Sequence, residues 1–197
     1  MSSDHDKRPR GDALKQRVLD TALRLFSERG YFNTSIHDIC RAADVSIGAI
    51  YHHFGNKELL AKSLYDHLLE RMGREVEEAI TPHQGGLARS RAVIALLFAL
   101  TRDDPRTMQF ILLAKHREFL PQEPPICSSR PFCLMRGILE QGMADGEVRQ
   151  LEPWVAATAM FGGALRMMNL ALDGALEQPL EEYLDQVVEC GWRAVRS

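Results

Sequence analysis

Between Thr34 and Lys57 the chain reads TSIHDICRAADVSIGAIYHHFGNK, two very short helical patterns set between closely spaced turn signals. Helices of this length gain little from propensity alone, so packing against another element has to hold them. That partner precedes them. From about Asp12 to Arg29, Leu14, Val18, Ala22, Leu25 and Phe26 recur at steps of three and four and form one apolar stripe. Gly30 then supplies a C-terminal stop. The segment therefore predicts a compact trio of helices.

The short patterns carry their own boundaries. Ser35 and Asp38 have capping-box spacing, with Asp in place of the usual Glu, and the second helix buries Ile36, Ile39, Cys40 and Ala43. Asp44-Val45-Ser46 is the turn, and Ser46 can cap a third helix that runs to about Phe54. Val45, Ile50 and Phe54 suit an anchor beneath that helix. Gly55-Asn56 breaks it, and Asn56 can cap a long fourth helix from Lys57 to about Ile80.

Thr81-Pro82 and Gln84-Gly85-Gly86 mark the clearest linker. Beyond it, the spacing predicts helices at roughly 87–102, 105–119, 130–144, 153–173 and 179–195. No alternating β-branched run is long enough for a sheet, so the chain reads as all-α with about nine helices. The Trp154–Leu172 stretch is apolar but interrupted by Thr158, Gly162, Gly163, Arg166 and Asn169, which favours a buried or interface helix over a membrane span. Residues 1–11 read as a flexible basic tail containing Lys7-Arg8-Pro9-Arg10, with no apolar signal core. Cys40, Cys127, Cys133 and Cys190 lack CxxC spacing, so reduced thiols in a cytoplasm are the simplest reading.

Net charge is −3, and residues 1–75 hold 12 Lys/Arg against 11 Asp/Glu. Global charge gives no support for nucleic-acid binding, and local placement has to carry that case. It does so in the third helix. Ser46, Ile47, Gly48 and Ala49 occupy its first turn, where small side chains let a backbone approach the major groove, and Ala49 could touch a thymine methyl. Tyr51, His52 and His53 lie further along, placed to meet phosphate oxygens or to form a solvated edge. Lys57 opposes the dipole of the fourth helix, a placement that makes more sense beside a phosphate than without one. Adjacent His52 and His53 diverge by about 100° on a helix, which argues against a shared metal.

These residues resemble the helix-turn-helix of the tetracycline-repressor (TetR) family of bacterial transcription regulators. The resemblance rests on Ala22–Phe26 with Gly30, Thr34-Ser35-Ile36, Asp38-Ile39, Ala42-Ala43, Val45-Ser46, Gly48–Phe54 and Lys57–Leu60, within about Asp12 to Leu64. It implies phosphate contacts from Thr34, Ser46, Tyr51, His52 and Lys57, and base-edge contacts from Ile47, Gly48 and Ala49. His53 stays open between phosphate contact and packing. Ile47 is apolar where many relatives are polar or basic, which shifts specificity toward van der Waals contact and DNA shape.

The resemblance also implies a division into a helix-turn-helix domain at 12–56, a connecting helix at 57–80 and a ligand-binding and dimerisation domain at 81–197. Ala156, Ala157, Ala159, Gly162, Gly163 and Ala164 would allow close helix approach in a homodimer, and Met160, Met167, Leu170, Leu184, Val187, Val188 and Trp192 could fill it. Phe98, Met108, Phe110, Phe132, Met135 and Phe161 could line an effector cavity, although such residues are more often plain core. His116, Arg117 and Arg166 could meet a ligand carboxylate, or pair internally with Glu118 or Glu140. The reading is a dimeric repressor, released from a double-stranded operator by a small molecule, whose connecting helix sets the spacing of the reading helices. Its alternative is a DNA-binding protein with no small-molecule effector. No catalytic constellation, cofactor or metal site has supporting context.

Overall fold

The computed structural model of the protein describes residues 7–197, with side chains from Gly11 onward. Among the described residues there are ten α-helices, two short 3-10 turns and no strand, apart from an isolated bridge between Val148 and Arg196. The chain divides into two compact units. One holds the residues up to Leu68 together with Gln109–Glu123, and the other holds Leu69–Met108 and Pro124–Ser197.

In the first unit, α1 spans Lys7–Arg29, α2 Ile36–Ala43 and α3 Ile47–Phe54. Their apolar stripes meet as the periodicity requires: Val18, Ala22, Ile39 and Ile50 have no exposed surface, and Leu25 is close to none. The trio is completed by the start of α4, Lys57–Ile80, whose Leu60, Ala61 and Leu64 are buried. The first helix begins at Lys7 and not at Asp12, so the basic run expected in a flexible tail belongs to α1; residues 1–6 of that tail lie outside the described residues.

The helix expected at 105–119 is divided. α6 covers Pro105–Leu113 and a one-turn α7 covers His116–Phe119. Lys115 leaves the helical region at φ −79°, ψ 70°, and the His116 N–H turns back to the Ala114 carbonyl at 2.9 Å. No Gly or Pro forces this break. It lets the rings of His116 and Phe119 close on Phe110 and Tyr65, so tertiary burial overrides local helix preference.

The second unit contains α5 (Gly86–Asp103), α8 (Arg130–Ala144), α9 (Pro153–Leu172) and α10 (Leu184–Val195). The segment before α10, expected to be helical from 179, is a 3-10 turn over Leu180–Tyr183. α9 packs on α5, α8 and α10. It approaches α10 so closely that a Cβ on Gly191 would collide with the Met160 carbonyl oxygen. Arg130 bridges α8 to α4 through Glu70 at 2.6 Å and Glu77 at 2.5 Å. Arg71 reaches Asp104, which leads into α6, at 2.7 Å. α9 is long and apolar enough to cross a membrane by length and composition, yet Ala156, Met160, Ala164 and Met168 are buried against its neighbours.

Candidate nucleic-acid interface

Each boundary of the two short helices is closed by a local hydrogen bond. The Asp38 N–H donates to Ser35 Oγ at 3.1 Å, and the Ser35 N–H donates to the Asp38 carboxylate at 2.9 Å, completing the capping box. The Ser35 hydroxyl, which donates to the same carboxylate at 2.5 Å, and then the Ser35 N–H hold the Asp38 carboxyl below the usual range. Asp44 then takes the left-handed conformation at φ 51°, a region that a short polar side chain tolerates and a β-branched one does not. The turn hands over to Ser46, whose Oγ accepts the Ala49 N–H at 3.2 Å. α3 ends on Gly55 at φ 82°, and Asn56 caps α4 by accepting the Leu59 N–H at 2.8 Å.

This framework fixes which side of α3 is free. Ile50 and Phe54 point into the trio, as the pattern required. Ser46, Gly48, Tyr51 and His52 are exposed, as is Ile47 at 38% of its surface; Ala49 and His53 are half-buried. Eight of the nine residues expected to meet DNA therefore retain accessible surface along α3 and at the start of α4. The rings of His52 and His53 sit edge to face at 5.1 Å. Burial first, then the neighbouring His52 and Lys15, hold His53 below the ordinary histidine pKa.

Thr34 is the exception. Its side chain is buried, its hydroxyl donates to the Gly30 carbonyl at 3.0 Å and lies 3.3 Å from that of Leu25, and its N–H donates to Tyr31 at 3.2 Å. Both donors are engaged in locking the α1–α2 turn. Its motif position alone could not reveal that. Two residues go unnoticed in the sequence reading. Lys15 raises the positive field around His53, and Tyr31 lies under Lys57, whose ammonium sits 4.0 Å from the ring centroid. The signal for Tyr31 is its place directly after the Gly30 stop, where the chain turns back toward the trio.

The effector candidates separate. Phe98, Met108, Phe110, Met135 and Phe161 are buried and Phe132 is half-buried, all consistent with ordinary core. Phe110 and His116 meet in the first unit at 5.1 Å, where burial pushes the imidazole down to about pKa 4 and leaves Nε2 without a hydrogen-bond partner. Arg117 and Arg166 are exposed. The internal pairings expected for them form elsewhere: Glu118 pairs with Lys115 at 3.3 Å and Glu140 with Arg136 at 3.3 Å. A groove of roughly 380 Å³ opens in the first unit between Phe26, Tyr31, Phe32, Leu113 and Phe119; of the effector candidates, Phe110 alone lines it.

A capped two-helix turn on a supporting first helix, followed by a long helix and an all-α remainder, defines a helix-turn-helix regulatory protein. Residues 18–64 match the model of the bacterial regulatory proteins of the tetR family. The helix-turn-helix segment of the chain is thus of the tetR type. The chain is 33% identical over 92 residues to the HTH-type transcriptional regulator BetI of Brucella melitensis, an alignment covering 45% of this chain and 44% of that one. It is 46% identical over 52 residues to the HTH-type regulator AcrR of Shigella flexneri, covering 26% and 24% respectively. The chain thus spans less than half the length of these curated relatives. Two solved structures share the fold over nearly all of it. A TetR family transcription regulator from Marinobacter aquaeolei superposes with a TM-score of 0.82 at 19% identity, covering 96% of this chain and 99% of that one. FadR of Bacillus subtilis, solved in complex with stearoyl-CoA, does so with 0.78 at 22% identity, covering 89% and 96%.

Proposed function

We propose that this protein is a dimeric, cytoplasmic transcriptional repressor that binds double-stranded DNA through α3 and is released by a small molecule. The observation that carries the DNA reading is the exposed side of α3, with Ser46, Ile47 and Gly48 at its tip and Tyr51 and His52 behind, on a helix anchored by Ile50 and Phe54. The first turn enters the major groove, and Ile47, Gly48 and Ala49 read base edges by contact and shape. Ser46, Tyr51, His52 and Lys57 hold the phosphates on either side, with His53 contributing charge when protonated.

Two features support the rest. Val155, Ala159, Gly162 and Arg166 recur along the side of α9 opposite its buried stripe, and this apolar helix leaves Trp154 and Val155 45% and 55% exposed. A second copy of the chain would cover them, giving the two-fold protein that a two-fold operator requires. The FadR neighbour was solved with an acyl-CoA, and the same overall fold here makes a small-molecule effector the natural release signal.

The test is a gel shift with the DNA upstream of the gene, repeated across salt concentrations. Wild type forms a discrete complex, and Tyr51→Ala with Lys57→Ala weakens it, while loss of the one cation, Lys57, lowers the salt slope by about one contact's worth, ~0.9. Unchanged affinity would sink the residue assignment. Stearoyl-CoA added to the complex tests release; a library in which no compound raises the melting temperature or frees the DNA would favour the effector-free reading.

A further inference from the structure

We infer that Tyr31 is a positioning residue for Lys57: its ring holds the lysine ammonium in place for a phosphate, and Phe119 braces the ring from behind. The inference rests on the DNA-binding reading of Lys57 and deepens it.

The geometry is a short column inside the first unit. Lys57 Nζ lies 4.0 Å from the Tyr31 centroid. The Phe119 ring stacks on Tyr31 at 4.3 Å with an interplanar angle of 15°. A parallel ring and an ammonium at these distances cannot share one face without colliding, so the two faces of Tyr31 are used by different partners. The rings of Phe26 at 5.3 Å and of the exposed Phe32 at 5.2 Å also lie against it. The ring cannot tilt without breaking these packings.

Lys57 needs such support. It stands at the first position of α4, where the dipole repels a cation, and it forms no ion pair with a carboxylate among the described residues. It is also half-buried, and burial holds its pKa below the ordinary lysine value. The negative face of Tyr31 is what the protein offers in place of a counter-ion. A ring face engages one side of an ammonium, and the remaining N–H donors stay free for a phosphate oxygen. A flexible lysine held in one arrangement before binding loses less freedom on binding, which is the benefit of preorganisation. Phe119 belongs to α7, so the break at Lys115 that sets α7 also sets the brace.

The experiment measures affinity against salt for the full chain on a mixed-sequence DNA duplex, because phosphate contacts are sequence-independent. Lys57→Ala should lower the salt slope by about one contact, ~0.9. Tyr31→Phe keeps the ring and should bind as wild type, whereas Tyr31→Leu should weaken binding by about two- to fivefold, the size of an exposed cation–π contact. Tyr31→Leu should weaken nothing further once Lys57 is Ala. Phenylalanines carrying one, two and three fluorines at position 31 keep the shape and drain the ring face, so they test the same point if Tyr31→Leu unfolds. Affinity should fall stepwise with fluorine in the wild-type background and stay flat in Lys57→Ala. Flat affinity across the fluorine series with Lys57 present, or losses that add independently in the double variants, would overturn the inference. If Lys57→Ala itself changes neither affinity nor slope, the DNA assignment of Lys57 fails, and this inference falls with it.

Discussion

Thr34 and Lys57 flank the reading helix, and both could be assigned to phosphates from their place in the motif, yet they differ in what the fold leaves them. Thr34 spends its hydroxyl and its N–H on the turn; Lys57 keeps donors free above a ring. Thr34→Val, similar in size but without the hydroxyl, should cost about 0.5–1.5 kcal/mol in urea unfolding, the net worth of a hydrogen bond, and should leave the affinity for DNA untouched. Weaker DNA binding with unchanged stability would return Thr34 to the DNA. His116 gives a second test at this scale. Its folded pKa is about 4 against an ordinary 6.5, and burial is the main cause. Between those values the unfolded chain binds the proton and the folded chain does not, so stability is full above pH 6.5 and falls as the pH drops toward 4. Comparing urea midpoints at neutral pH and near the lower end of that window, His116→Leu should lose less stability than wild type over the same interval. Parallel curves would show that the buried imidazole contributes nothing to the pH dependence.

Helix boundaries set by local chemistry were legible in the chain; those set by tertiary packing were not. Ser35 with Asp38, Gly30, Ser46 and Asn56 act through bonds spanning a few residues, and each does the job its pattern announced. The break at Lys115 has no such marker, because what it gains is the burial of His116 and Phe119 against residues far away in sequence. For the same reason nothing local shows that Gln109–Glu123 belongs with the N-terminal unit. The site divides likewise: the exposed residues of α3 follow from helical periodicity, whereas the burial of Thr34 and the column under Lys57 need the fold. The small residues of α9 read as one set and split into two. Ala156 and Ala164 are buried inside the chain, while Gly162 and Gly163 face outward with room around them. The glycine on which the α9–α10 contact turns is instead Gly191. Gly191→Ala sets two effects against each other. Alanine favours the helix by about 1 kcal/mol, and its methyl would strike backbone, at an overpacking cost of about 1–3 kcal/mol. The clash should win, lowering the melting temperature, because a backbone carbonyl cannot swing aside as a side chain can. A stabilised Gly191→Ala would mean that α10 has slack against α9.

At the scale of the whole molecule, the proposed dimer would keep DNA reading and dimerisation separable in sequence and couple them in energy. One α3 reads a half-site, and a second copy makes the second binding event effectively intramolecular, raising overall affinity by orders of magnitude without any new contact to a base. If a second copy covers the outward side of α9, as proposed, that is where the coupling can be cut. Gly162 lies opposite the buried Ala156, Met160, Ala164 and Met168 stripe, and a Cβ there would meet only Thr158 of its own helix, at an ordinary 3.7 Å. Gly162→Arg should therefore leave the isolated chain folded and place a long cation in the middle of the α9 face. In light scattering it should shift the mass from dimer to monomer, and in the gel shift it should lose far more affinity for a two-half-site duplex than for a single half-site. Far-UV circular dichroism and the melting curve separate this from unfolding. A Gly162→Arg protein that remains dimeric and binds both duplexes as wild type would move the interface off α9. The outcomes are distinct because no residue proposed to touch DNA lies beyond α4, so a change confined to α9 can reach the operator only through the partnership of two chains.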